Sequence, residues 1–483
     1  MNKKYISMIA AACIMTSTAY AADFYRGGDI TELNYIESLG GRYYDAEGKE
    51  RDALDILSEA GMNMARVRLT NSPGKGHGDG TYYLPAGFQD EADCLKLAKR
   101  AKEHGMALQF TFNYSDYWSN GMRQIIPADW AGQILTDTGY DISDADFLSS
   151  MTDVQRADII TRLETIVYDY TKDIMKKLEA QGTVPEYVSL GNEIRGGMLF
   201  PFANTYDASM NRDRMELVFD DDVTKDDIRC PEDWDSLARF INAGYRAVKE
   251  VSPETGVIIH LDDGSKVGAF TWWLDKLDAA GGRYDIIGAS YYPAWSGNTI
   301  ETCVDFCNEI SEKYDKDIMI METGFNWSPT IKNGSGGQLV DIDAYKDVFP
   351  PTQEGHYGYM KALFEGLRSV RNDRVLGALY WDPLMIHVEN DSGENLSGWA
   401  YRESDDGAEP NIVENTTLFD FDGRAIKTLE AYREDMAANT VKAIMPQYDD
   451  NGVLTGAETK KTDRRNVNKG GYFWDGVSLS ESE

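Results

Sequence analysis

Eight short apolar runs recur along the chain, and amphipathic, helix-like segments separate them. That rhythm constrains the fold more than any other feature. Strands that alternate with helices pair in parallel and bury both faces, which gives α/β architecture. The runs are Phe24 to Ile30, Met62 to Leu69, Ala107 to Tyr114, Tyr187 to Glu193, Val257 to Leu261, Tyr284 to Tyr291, Asp317 to Glu322 and Leu376 to Trp381. Helices are expected over segments such as Glu50 to Ala60, Glu91 to Glu103, Val154 to Ala180, Trp234 to Val251 and Gly355 to Arg371. Count and spacing predict a (β/α)8 TIM barrel. Four connections are long: Ser115 to Ser150, Ile194 to Glu232, Thr323 to Gln353 and Asp382 to Thr417. All four leave the C-terminal face of the strands, so they are expected to wall a groove there.

Two of the runs end on a carboxylate at that face. Tyr187-Val188-Ser189-Leu190-Gly191 leads into Asn192-Glu193, and Asp317-Ile318-Met319-Ile320-Met321 leads into Glu322. A lone strand-end Glu is commonly a structural ion pair. Two at strands four and seven, with Asn before the first, match the nucleophile and general acid/base of a retaining glycosidase. A strand-end Asn can donate to a sugar 2-hydroxyl, a contact that tightens in the transition state. The acid/base needs a movable pKa, and the nucleophile needs a cationic or hydrogen-bonding neighbour. Arg68, in Ala65-Arg66-Val67-Arg68-Leu69, and Tyr291 are the candidates for that neighbour.

Bulk properties narrow the partners. With 42% apolar residues the chain is globular rather than disordered. Its net charge of −33 disfavours nucleic acid, anionic membranes and strongly acidic polymers, and is compatible with a neutral substrate. Residues 1–21 read as a secretory signal. Lys3 and Lys4 precede a short apolar stretch, and an Ala-x-Ala cleavage site ends at Ala21. Cys13 follows Ala10-Ala11-Ala12, a poor lipoprotein pattern, so no lipid anchor is expected. The mature protein is expected to be exported to the periplasm, the cell surface or the medium. No transmembrane segment is expected, and a monomer is. Cys94, Cys230, Cys303 and Cys307 remain after cleavage, with no zinc spacing, and no cofactor is expected. The mature chain divides into a catalytic barrel over 22–440 and an extension over 441–483. That extension is polar, with little periodicity, and either packs on the barrel or is partly disordered.

The motifs together resemble those of the endo-β-1,4-galactanases of glycoside hydrolase family 53. They begin with Gly27-Gly28-Asp29-Ile30, Tyr43-Tyr44-Asp45, Asp52-Ala53-Leu54 and Arg66-Val67-Arg68. Tyr114-Ser115-Asp116-Tyr117-Trp118, Gly191-Asn192-Glu193-Ile194-Arg195-Gly196-Gly197 and His260-Leu261-Asp262-Asp263-Gly264 follow. Ile287 to Pro293, Met321-Glu322-Thr323-Gly324, Tyr380-Trp381-Asp382-Pro383 and Leu418 to Gly423 complete the series. The resemblance runs from about Phe24 to Leu429, nearly the whole mature chain.

It implies a retaining barrel enzyme with Glu193 as acid/base and Glu322 as nucleophile, acting on the β-1,4-galactan side chains of pectin. The carboxyls are then expected about 5–5.5 Å apart. Two positions depart from the family pattern: Asn113 stands where His is usual, and Asp382 where Glu is usual. Candidate sugar contacts are Arg68, Asn113, Asp116, Asn192, His260, Asp262 and Tyr291, with Trp118, Trp295, Trp327, Trp381 and Trp399 as stacking platforms. Trp272 and Trp273 are expected in the core. His260 and Asp262 are expected to bond to sugar or to Tyr291, or to form a structural network. Some relatives carry a structural calcium. The acid-rich stretches Asp220 to Asp222, Asp226-Asp227 and Asp341/Asp343 lack ordered calcium-loop spacing, so calcium stays open. Two alternatives also stay open: a retaining barrel acting on mannan or glucan, and a non-catalytic glycan-binding barrel.

Overall fold

The computed structural model describes residues 24–75, 81–205, 228, 230–339, 345, 347–399, 401–402, 411–437, 440–448 and 454–463. The predicted signal segment, Cys13 and the acid-rich stretches lie outside these residues.

The eight expected strands form one closed parallel barrel. They are β1 Tyr25–Asp29, β2 Met64–Leu69, β3 Ala107–Phe112, β4 Tyr187–Leu190, β5 Gly256–Leu261, β6 Ile286–Ser290, β7 Asp317–Thr323 and β8 Val375–Tyr380. Each pairs with the next in sequence, and β8 closes on β1 through Tyr25↔Gly377 to Gly28↔Tyr380. One main helix follows each strand: α1 Ala53–Glu59, α2 Glu91–Glu103, α3 Asp153–Ala180, α4 Trp234–Val251, α5 Val267–Ala279, α6 Ile300–Tyr314, α7 Gln353–Arg368 and α8 Leu429–Ala437. Polar side chains start these helices. Asp90, Asp233, Thr299 and Thr352 each accept a backbone N–H of the first turn, and Thr152 and Gln155 form a reciprocal capping box on α3. Each such cap contributes about 1 kcal/mol.

Strand alternation sorts the interior. Met64, Ile258, Ile286, Met319, Met321 and Leu379 form a small apolar cluster of strand residues alone, which fills the lower barrel. Above it the same alternation turns polar. On β2 Met64 is followed by Arg66 and Arg68, and on β5 Ile258 is followed by His260. The larger core lies between barrel and helices and holds Trp273, fully buried, with Trp272 partly buried against it. Cys303 and Cys307 are buried and unbridged on α6, as are Cys94 and Cys230 elsewhere.

The polar extension contains more order than its composition suggests. Thr440–Tyr448 (β9) and Leu454–Asp463 (β10) pair as an antiparallel hairpin, from Thr440↔Asp463 to Tyr448↔Leu454. In the sequence an Asn451-Gly452 step, a composition that favours hairpin turns, stands between the two strands. Among the described residues, no helix is long and apolar enough to cross a membrane.

Candidate active site

Both strand-end glutamates open into one groove of about 530 Å³ at the C-terminal mouth of the barrel. β4 ends at Leu190, and Gly191 takes φ 91°, where an added Cβ would press on Ile194. Glu193 itself sits at φ 49°. A non-glycine residue in that region costs about 1–2 kcal/mol, a strain of the kind found at functional sites. The turn brings the Glu193 carboxyl close to Glu322 on β7. An oxygen of Glu193, an oxygen of Glu322 and a ring nitrogen of His260 lie within 4.8 Å of one another.

The two carboxyls have different surroundings. Glu322 is 7% exposed and accepts from Arg66 Nη1 at 2.6 Å and from the Tyr292 hydroxyl at 3.1 Å. Arg66 is itself fixed. Its Nη2 donates to Asn192 Oδ1 at 2.6 Å, and Nη1 lies 3.3 Å from Asp29 Oδ2. Asn192 Nδ2 donates to the Ser119 carbonyl at 2.7 Å, so Asn192 ties the guanidinium that holds Glu322 to the long loop after β3. Glu193 accepts from the Ser290 hydroxyl at 2.6 Å and, among the described residues, pairs with no cation. Burial, then the nearby charges of Glu322 and Asp262, push its pKa well above the ordinary carboxylate range.

His260 stands behind this pair. Burial, then the charges of Arg66 and Arg68, hold its pKa well below the usual imidazole value, so the ring is neutral. Its Nε2 lies 2.8 Å from Ser290 Oγ. Because the Ser290 proton goes to Glu193, Nε2 is the donor in that contact and Nδ1 is the bare nitrogen. The result is a chain from His260 through Ser290 to Glu193.

The structure corrects two neighbours expected of the nucleophile. Arg68 lines the groove, but its guanidinium pairs with Asp29 at 2.7 Å and Glu32 at 2.6 Å. Arg66, two residues earlier on the same strand face, holds Glu322. Tyr291 is fully buried and donates to the Asn298 carbonyl at 3.0 Å, away from the groove; Tyr292 is the residue at Glu322. Alternation beyond β6 carries the reason. Ser290 and Tyr292 face the mouth, and the register shift between Ala289 and Ser290 obscures where the strand stops.

Trp118, Asn192, Asp262, Trp295 and Trp381 line the groove as expected of contacts, and so do Tyr83 and Trp399, the former unforeseen. Trp381 and Trp399 stack at 5.6 Å and 11°. Trp295 is 51% exposed and packs on Tyr292 at 4.4 Å. Asp262 accepts from Arg195 at 2.7 and 3.0 Å. Three other candidates sit off the groove lining. Asn113 is buried and donates to Thr70 Oγ1 at 2.9 Å. Asp116 is buried and accepts from the Ala128 N–H at 2.8 Å and from Asn71 at 3.3 Å. Trp327 packs on Phe421 at 4.6 Å between the loops after β7 and β8. His260 also lies below the lining and reaches the site through Ser290. Ser290 and Tyr292 were missed, although both stand in the Ser290-Tyr291-Tyr292 motif and share an alternating face.

Glu193, His260 and Glu322 form the one cluster among the described residues with the spacing of a metal site. The donor set does not suit a cation, because Arg66 already neutralises Glu322 and would face any ion placed there.

The profile of glycosyl hydrolase family 53 matches residues 25–159 and 154–432. The arabinogalactan endo-beta-1,4-galactanase of Cellvibrio japonicus is 28% identical over 395 residues, 80% of this chain and 88% of its own. The endo-beta-1,4-galactanase of Bacillus subtilis is 25% identical over 429 residues, 85% of this chain and 86% of its own. Among solved structures, the Ignisphaera aggregans GH53 catalytic domain superposes with a TM-score of 0.64 at 27% identity, covering 86% of this chain and 97% of that one.

Proposed function

The chain belongs to glycosyl hydrolase family 53, and from that premise we propose that it is an exported endo-β-1,4-galactanase that cleaves with retention. Glu193 is the acid/base and Glu322 the nucleophile. The observation that carries this assignment is the asymmetry between them. Glu322 accepts from a guanidinium and a phenol, which aim a carboxylate oxygen, whereas Glu193 has a pKa raised by burial and by Glu322 itself.

The separation supports retention. Retaining pairs stand about 5–5.5 Å apart, and an oxygen of Glu193 within 4.8 Å of an oxygen of Glu322 is compatible with that close spacing. In the first step Glu322 attacks the anomeric carbon while Glu193 protonates the departing oxygen. The bond from Glu322 to sugar forms, and the glycosidic bond breaks. In the second step Glu193, now ionised, takes a proton from water, whose oxygen displaces Glu322. Glu193 must therefore gain and lose one proton per cycle, and the charge on Glu322 falls when the covalent intermediate forms. That coupling releases the proton at the right moment.

The substrate class comes from the relatives' activity and suits an acidic protein meeting a neutral polymer. Aromatic platforms Trp118, Trp295 and Trp381 are available for sugar faces along the groove. The residues 1–21 pattern supports export. The test is product analysis over time on β-1,4-galactan, with β-mannan and β-glucan beside it, and with the anomer read by NMR. Early mixed galacto-oligosaccharides of β configuration are expected. Cleavage of another polymer instead would overturn the substrate, and α products would overturn retention.

A further inference from the structure

Asp382 follows Trp381 at the end of β8 and is fully buried. Its Oδ1 accepts from the Leu384 N–H at 3.0 Å, and its Oδ2 is buried with no donor in reach. Glu32, just after β1, is 1% exposed. Its Oε1 accepts from Arg68 Nη2 at 2.6 Å and Trp399 Nε1 at 3.4 Å, and its Oε2 is likewise buried without a donor. The two side chains are within hydrogen-bonding reach of each other. Each carboxyl keeps one buried oxygen without a donor, and a proton shared between the two side chains turns their contact into a hydrogen bond.

The charge around them leads to the same answer. Arg66 and Arg68 are the guanidiniums here, and they already face Asp29, Glu32 and Glu322. An ionised Asp382 would be a fourth carboxylate against two cations. The other titratable groups that face the pair are Tyr43, whose hydroxyl donates to the Leu384 carbonyl, and Tyr83 on the groove. Burial, then the charges of Glu32 and Asp29, push the Asp382 pKa well above the carboxylate range.

We propose that Glu32 and Asp382 share one proton as a positioning clamp for the stacked Trp381–Trp399 pair, so that the groove grips its sugar chain only while that proton is kept. Asp382 holds the backbone next to Trp381. Glu32 holds the Trp399 indole N–H and Arg68, which lines the groove. The shared proton thereby ties the end of β1 to the end of β8 and both to the platform. When it leaves, two adjacent buried carboxylates repel, and the contact that aligns the indoles opens. Neither residue touches substrate; they act through the platform. The effect on sugar binding rests on the galactanase reading, whereas the clamp itself does not.

The proton is read directly by infrared difference spectroscopy between wild type and Asp382→Asn at neutral pH. Wild type is expected to show the C=O stretch of a buried protonated carboxyl that the variant lacks. An unchanged spectrum overturns the clamp. If Asp382→Asn does not fold, Glu32→Gln must abolish the same band, since its amide then donates to an ionised Asp382. Grip is read separately in a Glu193→Gln background, which removes the acid/base titration. The Kd for galacto-oligosaccharide is expected to rise about tenfold between about pH 5 and about pH 9. Adding Asp382→Asn, whose amide donates at every pH, should flatten that rise. A rise that survives the second substitution overturns the platform role. No binding at any pH would sink the galactanase reading and leave the infrared result to decide the clamp.

Discussion

Replacing Ser290 with Ala removes a hydroxyl that donates to Glu193 at 2.6 Å. That bond favours the charged carboxyl, so its loss raises a pKa that is already high. The alkaline limb of the kcat/KM profile is expected to move to higher pH. A limb that stays or falls would show that Glu193 does not set it. Glu193→Gln is expected to lose about 10²–10⁴ in kcat on galactan. It should lose far less on an aryl galactoside, whose leaving group needs no proton, whereas Glu322→Ala should fail on both. Equal losses for Glu193→Gln on the two substrates would remove the acid role. The meeting of Glu193 and Glu322 at the barrel mouth was readable because each Glu terminates an apolar run. The residues that tune it were harder to read. Arg66 and Arg68 share a strand face, and the sequence does not say which is level with Glu322. That level is set by the parallel register of β2 against its neighbours around the closed barrel, a property of the assembled sheet. Tyr292 was hidden for a simpler reason. The apolar run reads as ending at Tyr291, but alternation from Ser290 turns the next residue outward and the one after it back to the mouth.

At the scale of elements, the loop after β3 shows how a candidate contact becomes a support. Asp116 lies two residues before the Trp118 that lines the groove, yet its carboxyl faces inward and receives the Ala128 N–H at the start of the helix Ala128–Thr138. Burial raises its pKa to about 6, more than the Ala128, Asn71 and Lys75 contributions lower it. The folded value thus exceeds the unfolded one. The stabilisation is complete below about pH 4, where the unfolded chain also takes the proton, and is lost as pH rises through about 6. Asp116→Asn is expected to remove this dependence. Wild type should gain up to about 3 kcal/mol relative to the variant between about pH 7 and about pH 4, read from paired thermal melts. Parallel melting curves across that range would show that the carboxyl titrates normally. Sequence periodicity fixed α2 and α4 to the residue, because Asp90 and Asp233 cap sharp amphipathic runs. It was silent on loop interiors such as this one, where the fold direction of a side chain depends on a helix that arrives a dozen residues later.

The whole molecule carries a net charge of −33, and its groove combines aromatic faces with acids such as Asp262 and Asp263. A neutral galactan chain senses this field weakly. The backbone to which such chains are attached in pectin carries galacturonate carboxylates and is an anion, and the enzyme must approach it to reach short side chains. Repulsion between two extended like charges acts over a Debye length, about 10 Å at 0.1 M salt and about 30 Å at 0.01 M. Raising salt over that range is therefore expected to leave kcat/KM on free linear galactan nearly constant. On galactan still attached to de-esterified pectin it should raise kcat/KM several-fold, through KM and the association rate rather than kcat. Methyl-esterified pectin, which is close to neutral, should respond like free galactan. If all three substrates gain equally, the effect lies in the enzyme, and the acidic surface has no part in substrate choice. If only the de-esterified form gains, the charge that the composition made plain acts as a filter. It would direct the enzyme to side chains long enough, or backbones neutral enough, to enter the groove without bringing the backbone within a screening length.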